Sequence, residues 1–439
     1  MISGDTIAAI ATAPGRGGVA VVRVSGSEAF SVAERLTGIR DQGSGMSVRK
    51  IHSCPVPCSL IPVPSSLIDE AVILAFKSPH SYTGEDVVEF QCHGGTVTPR
   101  RVLAACLAAG ARLARRGEFT ERAFLNGRLD YAQAESVLDL IDAKTARAAD
   151  AALEGLSGRR AREIRALYQS ALDLSTRLEH ALDIDEGELP PDFLPSIRSS
   201  LITLHSSLRA AISKAAESRL LRAGSLVVLA GPPNAGKSSL LNALLDENRA
   251  IVSDSPGTTR DSIEAWIDLD GWPIRLVDTA GLRETKDEVE GEGVRRTEEL
   301  LSKADVVIWL STSSSLIPHP SSLIIHAKCD LGRGEGLNVS AKTGEGLDEL
   351  KRAIVAKLEE KVASSDSGDT PEGDVAAYHE ALARLTPLIP DPPSPIPQDD
   401  LVLLANAVRS AAERLGEAIG ATYSSDMLAN LFSRFCVGK

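Results

Sequence analysis

Aromatic side chains make up only 4% of the 439 residues, cysteine occurs 6 times, and no long apolar stretch is present. No run approaches the roughly 18–20 apolar residues that cross a bilayer, which excludes a membrane-spanning helix. So few cysteines in so long a chain do not make a disulfide framework, and reduced thiols are expected. Cys54 and Cys58 hint at half a metal site, but no second pair has suitable spacing, which favours free thiols. A basic surplus is also missing. The formal net charge of −13 argues against indiscriminate nucleic-acid binding, although a local basic surface is enough for RNA. Met1 to Ala13 lack the basic stretch and small-residue cleavage site of a signal peptide. A cytoplasmic protein without a membrane partner is expected.

What is present is an ordinary globular composition, 43% hydrophobic and 24% charged, in a chain long enough for two or three cores. Short apolar runs at Thr6 to Ala11, Val19 to Val24, Ala71 to Phe76 and Val87 to Cys92 read as strands. From Phe119 to Ile184 apolar residues recur at helical spacing, as in Ala134, Val137, Leu138 and Ile141. The turn Asp185 to Pro191 interrupts this, and helix resumes to about Arg222. Strand and helix then alternate from Ser225 to about Lys361, the pattern of a doubly wound α/β domain. A polar linker, Ala363 to Gly373, and further helix with a Pro-rich loop at Pro387 to Pro397 follow. The expected fold is multidomain α+β: a β-rich domain at 1–118, helical segments at 119–223 and 363–439, and an α/β domain at 224–362 inserted between them.

Gly231-Pro232-Pro233-Asn234-Ala235-Gly236-Lys237-Ser238 matches the phosphate-loop pattern between a strand and a helix. Backbone N–H groups there point at phosphate oxygens. Lys237 is expected on the outer phosphates and the Ser238 hydroxyl on Mg²⁺. Thr259, in the loop Gly257-Thr258-Thr259-Arg260, can supply a second Mg²⁺ ligand. Asp278-Thr279-Ala280-Gly281 follows the strand Ile274 to Val277, with Asp278 near the metal's water shell and the Gly281 N–H on the γ-phosphate. Loops ordered by triphosphate and released by hydrolysis make a switch. Guanine is read by Lys328, Asp330 and Ser340-Ala341-Lys342, because Asp330 accepts from two ring donors that adenine lacks. The full expected GTP contact set adds Ser239, Ser253, Asp254, Ser255 and Pro256 to these residues.

Three departures stand out. Ala327 occupies the place where GTPases usually carry an Asn that ties the base loop to the phosphate loop. Ser311 to Ser322 is Ser/Pro-rich where a crossover helix is normal. Leu282 stands where small GTPases often place a water-orienting Gln, so that task falls to another residue. Glu284, Asp287, Glu288 and Glu290 are nearby, and by themselves read as a solvated acidic loop rather than as the water-orienting group. The Asn234 amide oxygen sits where a monovalent cation, shared with Thr258 and loop carbonyls, can neutralise developing charge.

The chain resembles the MnmE (TrmE) family of tRNA-modifying GTPases over essentially its whole length. The resemblance rests on Asp5 to Ala9 with Pro14 to Gly18, Tyr82-Thr83-Gly84-Glu85-Asp86 with His93-Gly94-Gly95, Gly117 to Gly127, and Phe435-Cys436-Val437-Gly438-Lys439. It implies a folate-binding, dimerising N-terminal domain, a helical domain and an inserted Ras-like G domain. It also implies GTP hydrolysis stimulated by potassium-dependent G-domain dimerisation. The implied potassium ligands are Asn234, Ser253, Ser255 and Thr258, and the implied water-orienting catalytic residue is Glu290. The homodimer is implied to join an FAD-containing partner, MnmG, in a heterotetramer. That complex adds a carboxymethylaminomethyl-type group at carbon 5 of the tRNA wobble uridine, with a 5-formyl- or methylene-tetrahydrofolate derivative as one-carbon donor. The implied folate contacts are Arg23, Glu89, Arg128 (usually Lys in the family) and Lys439. Without the resemblance Arg23 and Glu89 read as a structural ion pair. Cys436 reads as a nucleophile or as an ordinary thiol. Arg100, Arg101, Arg112, Arg115, Arg116, Arg122 and Arg128 read as a tRNA-facing surface or a solvated helix face.

Overall fold

The computed structural model describes residues 4–38, 45–52, 66–184, 189–247, 264–279, 298–311, 322–334, 336–364, 374–388, 401–419 and 432–438. These fall into two units by packing: Met1–Leu138 with Thr422–Lys439, and Asp139–Ala421.

The first unit is built on strands β1 (Ile7–Ile10), β2 (Val19–Ser25), β3 (Gly45–His52), β4 (Leu67–Phe76), β5 (Val87–His93) and β6 (Arg112–Leu113). They lie in the order β3-β4-β5-β2-β1-β6, antiparallel except for the parallel β1–β6 pair. Alternation decides the faces. Ala20, Val22 and Val24 of β2 are buried while Val21 and Arg23 point the other way. The buried side packs with Val32 and Leu36 of α1 (Ala29–Thr37) and Val102 and Cys106 of α2 (Thr98–Ala108). On the opposite side Ile7 and Ala9 meet Ala114 and Phe119, the latter on α3 (Glu118–Leu125). Phe432 and Phe435 close this unit against Ala134 and Leu138 of α4 (Tyr131–Asp142). Gly117 makes that approach possible. It has φ +66, and a Cβ there would lie 2.4 Å from the Phe432 carbonyl oxygen.

The second unit opens with α5 (Ala146–Leu156), α6 (Arg159–Leu182) and α7 (Phe193–Ala223). Then come β7 (Ser225–Ala230), α8 (Lys237–Glu247), the hairpin β8 (Glu264–Leu269) and β9 (Trp272–Asp278), β10 (Val306–Ser311), β11 (Ser322–Ala327) and β12 (Leu337–Val339). Helices α9 (Leu347–Ala363), α10 (Asp374–Leu385) and α11 (Leu401–Ile419) complete it. The sheet runs β12-β11-β10-β7-β9-β8, parallel except for β8. All six residues of β7 are buried, and the apolar run Leu226 to Ala230 is that of a strand covered on both faces. Leu174 and Leu178 of α6, Leu201 and Leu208 of α7, Leu382 of α10, and Val408 and Leu415 of α11 share one core. Helices on both sides of the sheet segment therefore pack together, and the Ras-like α/β element is an insertion into a helical one. The fold is multidomain α+β.

The turn at 185–188, most of the linker after Ala363, the Pro-rich loop, the segment where a crossover helix is expected to be missing, and Cys54 and Cys58 lie outside the described residues.

Candidate nucleotide site and sheet-face site

The phosphate loop leaves the buried end of β7 and turns into α8. Gly231 has φ +146, and a Cβ there would lie 2.7 Å from the Leu310 carbonyl oxygen, so only glycine lets the loop pass β10. Asn234 adopts φ +60, a left-handed conformation that Asn tolerates better than most residues. The Lys237 ammonium donates to the carbonyls of Gly231 and Pro232 at 3.0 Å each, which curls the loop around one cation. Ser238 Oγ donates to Asp278 Oδ2 at 2.7 Å. The two groups expected at the magnesium are thus adjacent, one from α8 and one from the end of β9. A hydroxyl beside a carboxylate is a hard oxygen set that suits Mg²⁺. Thr279 is anchored by its hydroxyl, which donates to the Leu229 carbonyl at 3.0 Å.

The base-reading residues converge from two loops. Ser340, fully buried, donates through Oγ to Asp330 Oδ1 at 2.8 Å. That bond fixes the exposed carboxylate and leaves its other oxygen for a base. Ala341 and Lys342 follow in a turn closed by the Gly344 N–H on the Ser340 carbonyl. Lys328 Nζ donates to the Asn234 carbonyl at 2.8 Å. With Ala327 in place of Asn, Lys328 spans the base loop and phosphate loop. Ala235, Gly236 and Ser239 lie on the same loop and helix start. Ser253, Asp254, Ser255, Pro256, Gly257, Thr258, Thr259, Ala280, Gly281, Glu290 and Lys439 lie outside the described residues.

In the first unit Arg23 and Glu89 oppose each other across β2 and β5. Arg23 Nε donates to Glu89 Oε1 at 2.8 Å. The Arg23 guanidinium lies 5.2 Å from the ring centre of Tyr82 and 5.7 Å from that of Phe119. These two aromatics were not singled out in the sequence, although both sit within its distinctive segments at Tyr82 to Asp86 and Gly117 to Gly127. Tyr82 OH lies 2.9 Å from Thr120 Oγ1, and burial raises the phenol's pKa. Arg128 Nε donates to the Ser81 carbonyl at 3.3 Å. Cys436 is an exposed thiol on the segment bridged to Arg116.

The basic stretch does not form one electropositive face. Arg122 is 1% exposed and pairs with Asp5, Glu85 and Glu118. Arg112 pairs with Asp5 and Glu118, and Arg115 with Glu118 and Glu121. Neighbouring carboxylates, Glu118 and Glu121, and two distant in sequence, Asp5 and Glu85, therefore neutralise these three arginines. Burial would raise the Glu118 carboxyl, but hydrogen bonds from Arg112, then the Arg115 N–H and Arg122, hold it at about 2. Asp5 is lowered in the same way, against burial, by Arg112 and Arg122.

A further contact joins the sheet of the second unit to its helices. Thr145 Oγ1 donates to the Gly271 carbonyl at 2.7 Å, and the Arg147 guanidinium lies 4.3 Å from the Trp272 ring centre. The turn of the β8–β9 hairpin is thus docked at the start of α5.

Residues 6–128 match the family model described as the GTP-binding protein TrmE N-terminus, and residues 131–436 match that of the MnmE helical domain. The chain is 40% identical over 463 residues to the tRNA modification GTPase MnmE of Symbiobacterium thermophilum, with 99% of each sequence covered. It is likewise 40% identical over 467 residues to the tRNA modification GTPase MnmE of Nitrosomonas europaea, with 100% of each covered. Among solved structures, the G domain of the T. maritima FeoB iron transporter aligns with 30% of this chain and 98% of its own, at 28% identity and a TM-score of 0.23.

Proposed function

This chain belongs to the MnmE family of tRNA modification GTPases, and from that premise we propose that potassium-dependent pairing of two G domains drives its GTP hydrolysis while a bound tetrahydrofolate derivative supplies a one-carbon unit. The product is a carboxymethylaminomethyl-type group at carbon 5 of the wobble uridine, made with the FAD-containing partner MnmG in a heterotetramer. The functional partition is a folate-binding and dimerising segment at 1–118, helical segments at 119–223 and 363–439, and a G domain at 224–362.

The observation that carries the GTPase reading is the convergence of Lys237, Ser238 and Asp278 at one end of the loop with Lys328, Asp330 and Ser340 at the other. Phosphates lie along the loop N–H groups, and guanine lies on the free oxygen of Asp330. Ser238 and Thr259 would hold magnesium, with Asp278 behind its waters, and the ion would supply positive charge against the outer phosphates. In hydrolysis a water oxygen forms a bond to the γ-phosphorus while the bond from that phosphorus to the bridging oxygen breaks. Glu290 orients the water by accepting a hydrogen bond from it, and the water's proton passes to a phosphate oxygen as GDP and inorganic phosphate separate.

Potassium is held by Asn234, Ser253, Ser255 and Thr258. In support, the Asn234 side chain makes no hydrogen bond among the described residues, and its neutral amide oxygen suits a weakly solvated cation. Folate would be held by Arg23, Glu89, Arg128 and Lys439, and the Arg23–Glu89 pair, with the Arg23 guanidinium over the Tyr82 and Phe119 rings, supports a polar ligand there.

GTP hydrolysis measured in potassium and in sodium buffer tests the mechanism, with Glu290→Ala alongside. A rate that needs potassium and falls at least a hundredfold in Glu290→Ala is expected. Equal rates in both salts, unmoved by the substitution, would overturn potassium-dependent pairing.

A further inference from the structure

We infer that the phosphate backbone of tRNA lies along one rim of the first unit's sheet, where Arg16, Arg100, Arg101, Arg116 and Arg434 stand without carboxylate partners. This rests on membership of a tRNA-modifying family and adds which surface of the chain the RNA meets. Strand direction gathers the five arginines. β1 and β5 run toward this rim and β2 runs away from it, since Ile10 pairs with Val22 and His93 with Val19. β6 is parallel to β1 and ends there too. Residues 11–18, the turn at 93–97 with the start of α2, and residues 114–117 therefore leave the sheet at one end. The C-terminal return joins them. Val437 bridges to Arg116, and the Gly117 N–H donates to the Cys436 carbonyl at 3.4 Å. On the other flank the Gly94 N–H donates to the Gly18 carbonyl at 3.4 Å. That bond ties the loop carrying Arg16 to the turn that leads to Arg100 and Arg101.

Charge at this rim runs against that of the chain. The whole carries −13, yet residues 11–18, 93–101, 114–117 and 432–438 contain no aspartate or glutamate. All five arginines are exposed, and among the described residues none of them forms an ion pair or a hydrogen bond. Arg112, Arg115 and Arg122 differ, because Asp5, Glu85, Glu118 and Glu121 occupy them. Asp69, which faces the turn, is engaged by the His93 N–H and ring nitrogen at 2.8 Å each. Glu70 lies opposite Lys50 across β3 and β4. An arginine on a carboxylate has its fork filled, whereas these five keep theirs for an incoming anion. The fork matches two oxygens of one phosphate. The acidic remainder of the chain repels RNA and so directs it to this rim. A strand of RNA brings a continuous row of phosphates, which guanidiniums on separate loops can follow. Such contacts position the RNA and leave base reading to other groups.

Fluorescence anisotropy of a labelled tRNA transcript with the full chain, over a series of sodium chloride concentrations, tests the assignment. The triple variant Arg16→Gln, Arg100→Gln, Arg101→Gln is expected to weaken binding about tenfold or more, and to lower the slope of log affinity against log salt by about 2. Arg116→Gln with Arg434→Gln should lower the slope by about 1.4, and the matching Lys variants should keep it. Arg165→Gln with Arg198→Gln, on α6 and α7, removes two positive charges elsewhere and should change neither quantity. An unmoved unfolding transition of the first unit shows that the rim variants are folded. If those variants bind tRNA with unaltered affinity and slope, the rim assignment falls while the family's tRNA role stands. If they keep tRNA but lose the FAD-containing partner, the rim is a protein interface and its assignment to RNA falls. If the unaltered chain binds no tRNA even at low salt, direct contact with RNA falls altogether.

Discussion

At the scale of single residues, the first unit is organised around a guanidinium. Arg122 is enclosed by Asp5, Glu85 and Glu118, and its nearest backbone partner is the Asp5 carbonyl at 3.0 Å. Arg122→Met leaves the three carboxylates without it, a loss of about 3–5 kcal/mol for a buried pair broken from one side. Urea unfolding of the first unit is expected to shift accordingly. Acid tests the same cluster. Glu118 titrates at about 2 rather than at its ordinary 4.5. Its charged form therefore stabilises the fold fully above pH 4.5, and that contribution drains away as the pH falls toward 2. The urea midpoint should drop between pH 5 and pH 3, and Glu118→Gln should flatten that dependence. The phosphate loop was legible in the sequence because its chemistry is local and its spacing fixed. The arginine cluster was not, since Arg122 and Asp5 lie 117 positions apart. From sequence Arg122 counted as one more surface charge beside Glu118, and only the fold brings Asp5 and Glu85 to it.

At the scale of elements, period and punctuation carried most of the reading. The strand read at Ser225 to Ala230 is the strand observed, because five apolar residues after Ser225, bounded by Gly224 and Gly231, have few alternatives. The docking of the β8–β9 hairpin was not legible, since Thr145 and Gly271 are 126 positions apart. Its fit is tight. Gly224 has φ +75, and a Cβ there would lie 2.2 Å from the Trp266 ring. Gly224→Ala combines a strained backbone with an aromatic clash and should destabilise the second unit by about 2–3 kcal/mol. A fall in its melting temperature of several degrees checks this. The hairpin connects the segment holding Thr258 and Thr259 to the one holding Gly281 and Glu290. Both proposed switch loops therefore start from strands whose turn is fixed on α5.

At the scale of the molecule, the insertion of the α/β element was legible as helical sequence on both sides of a strand–helix alternation. The return of residues 432–438 to the first unit was recognisable only as a family segment, since no local pattern says where a short Phe-Cys-Val-Gly stretch packs. Phe432 and Phe435 supply half of the buried positions in the cluster with Ala134 and Leu138. Truncation after residue 431 should remove the first unit's unfolding transition in calorimetry and leave that of the second unit in place. Loss of both transitions together would show that the two units unfold as one.

That return also sets a timetable. About 280 residues, Asp139 to Ala421, are synthesised between the two parts of the first unit. At a ribosomal rate of roughly 5–20 residues per second, the sheet waits about 15–60 seconds for its closing phenylalanines. During that interval the second unit can complete its own cores on the ribosome, while Leu138 and its neighbours stay uncovered and open to chaperones. A message cut short near its end would yield a chain with a finished nucleotide switch and an unfinished first unit, a product for the cell's proteases to remove.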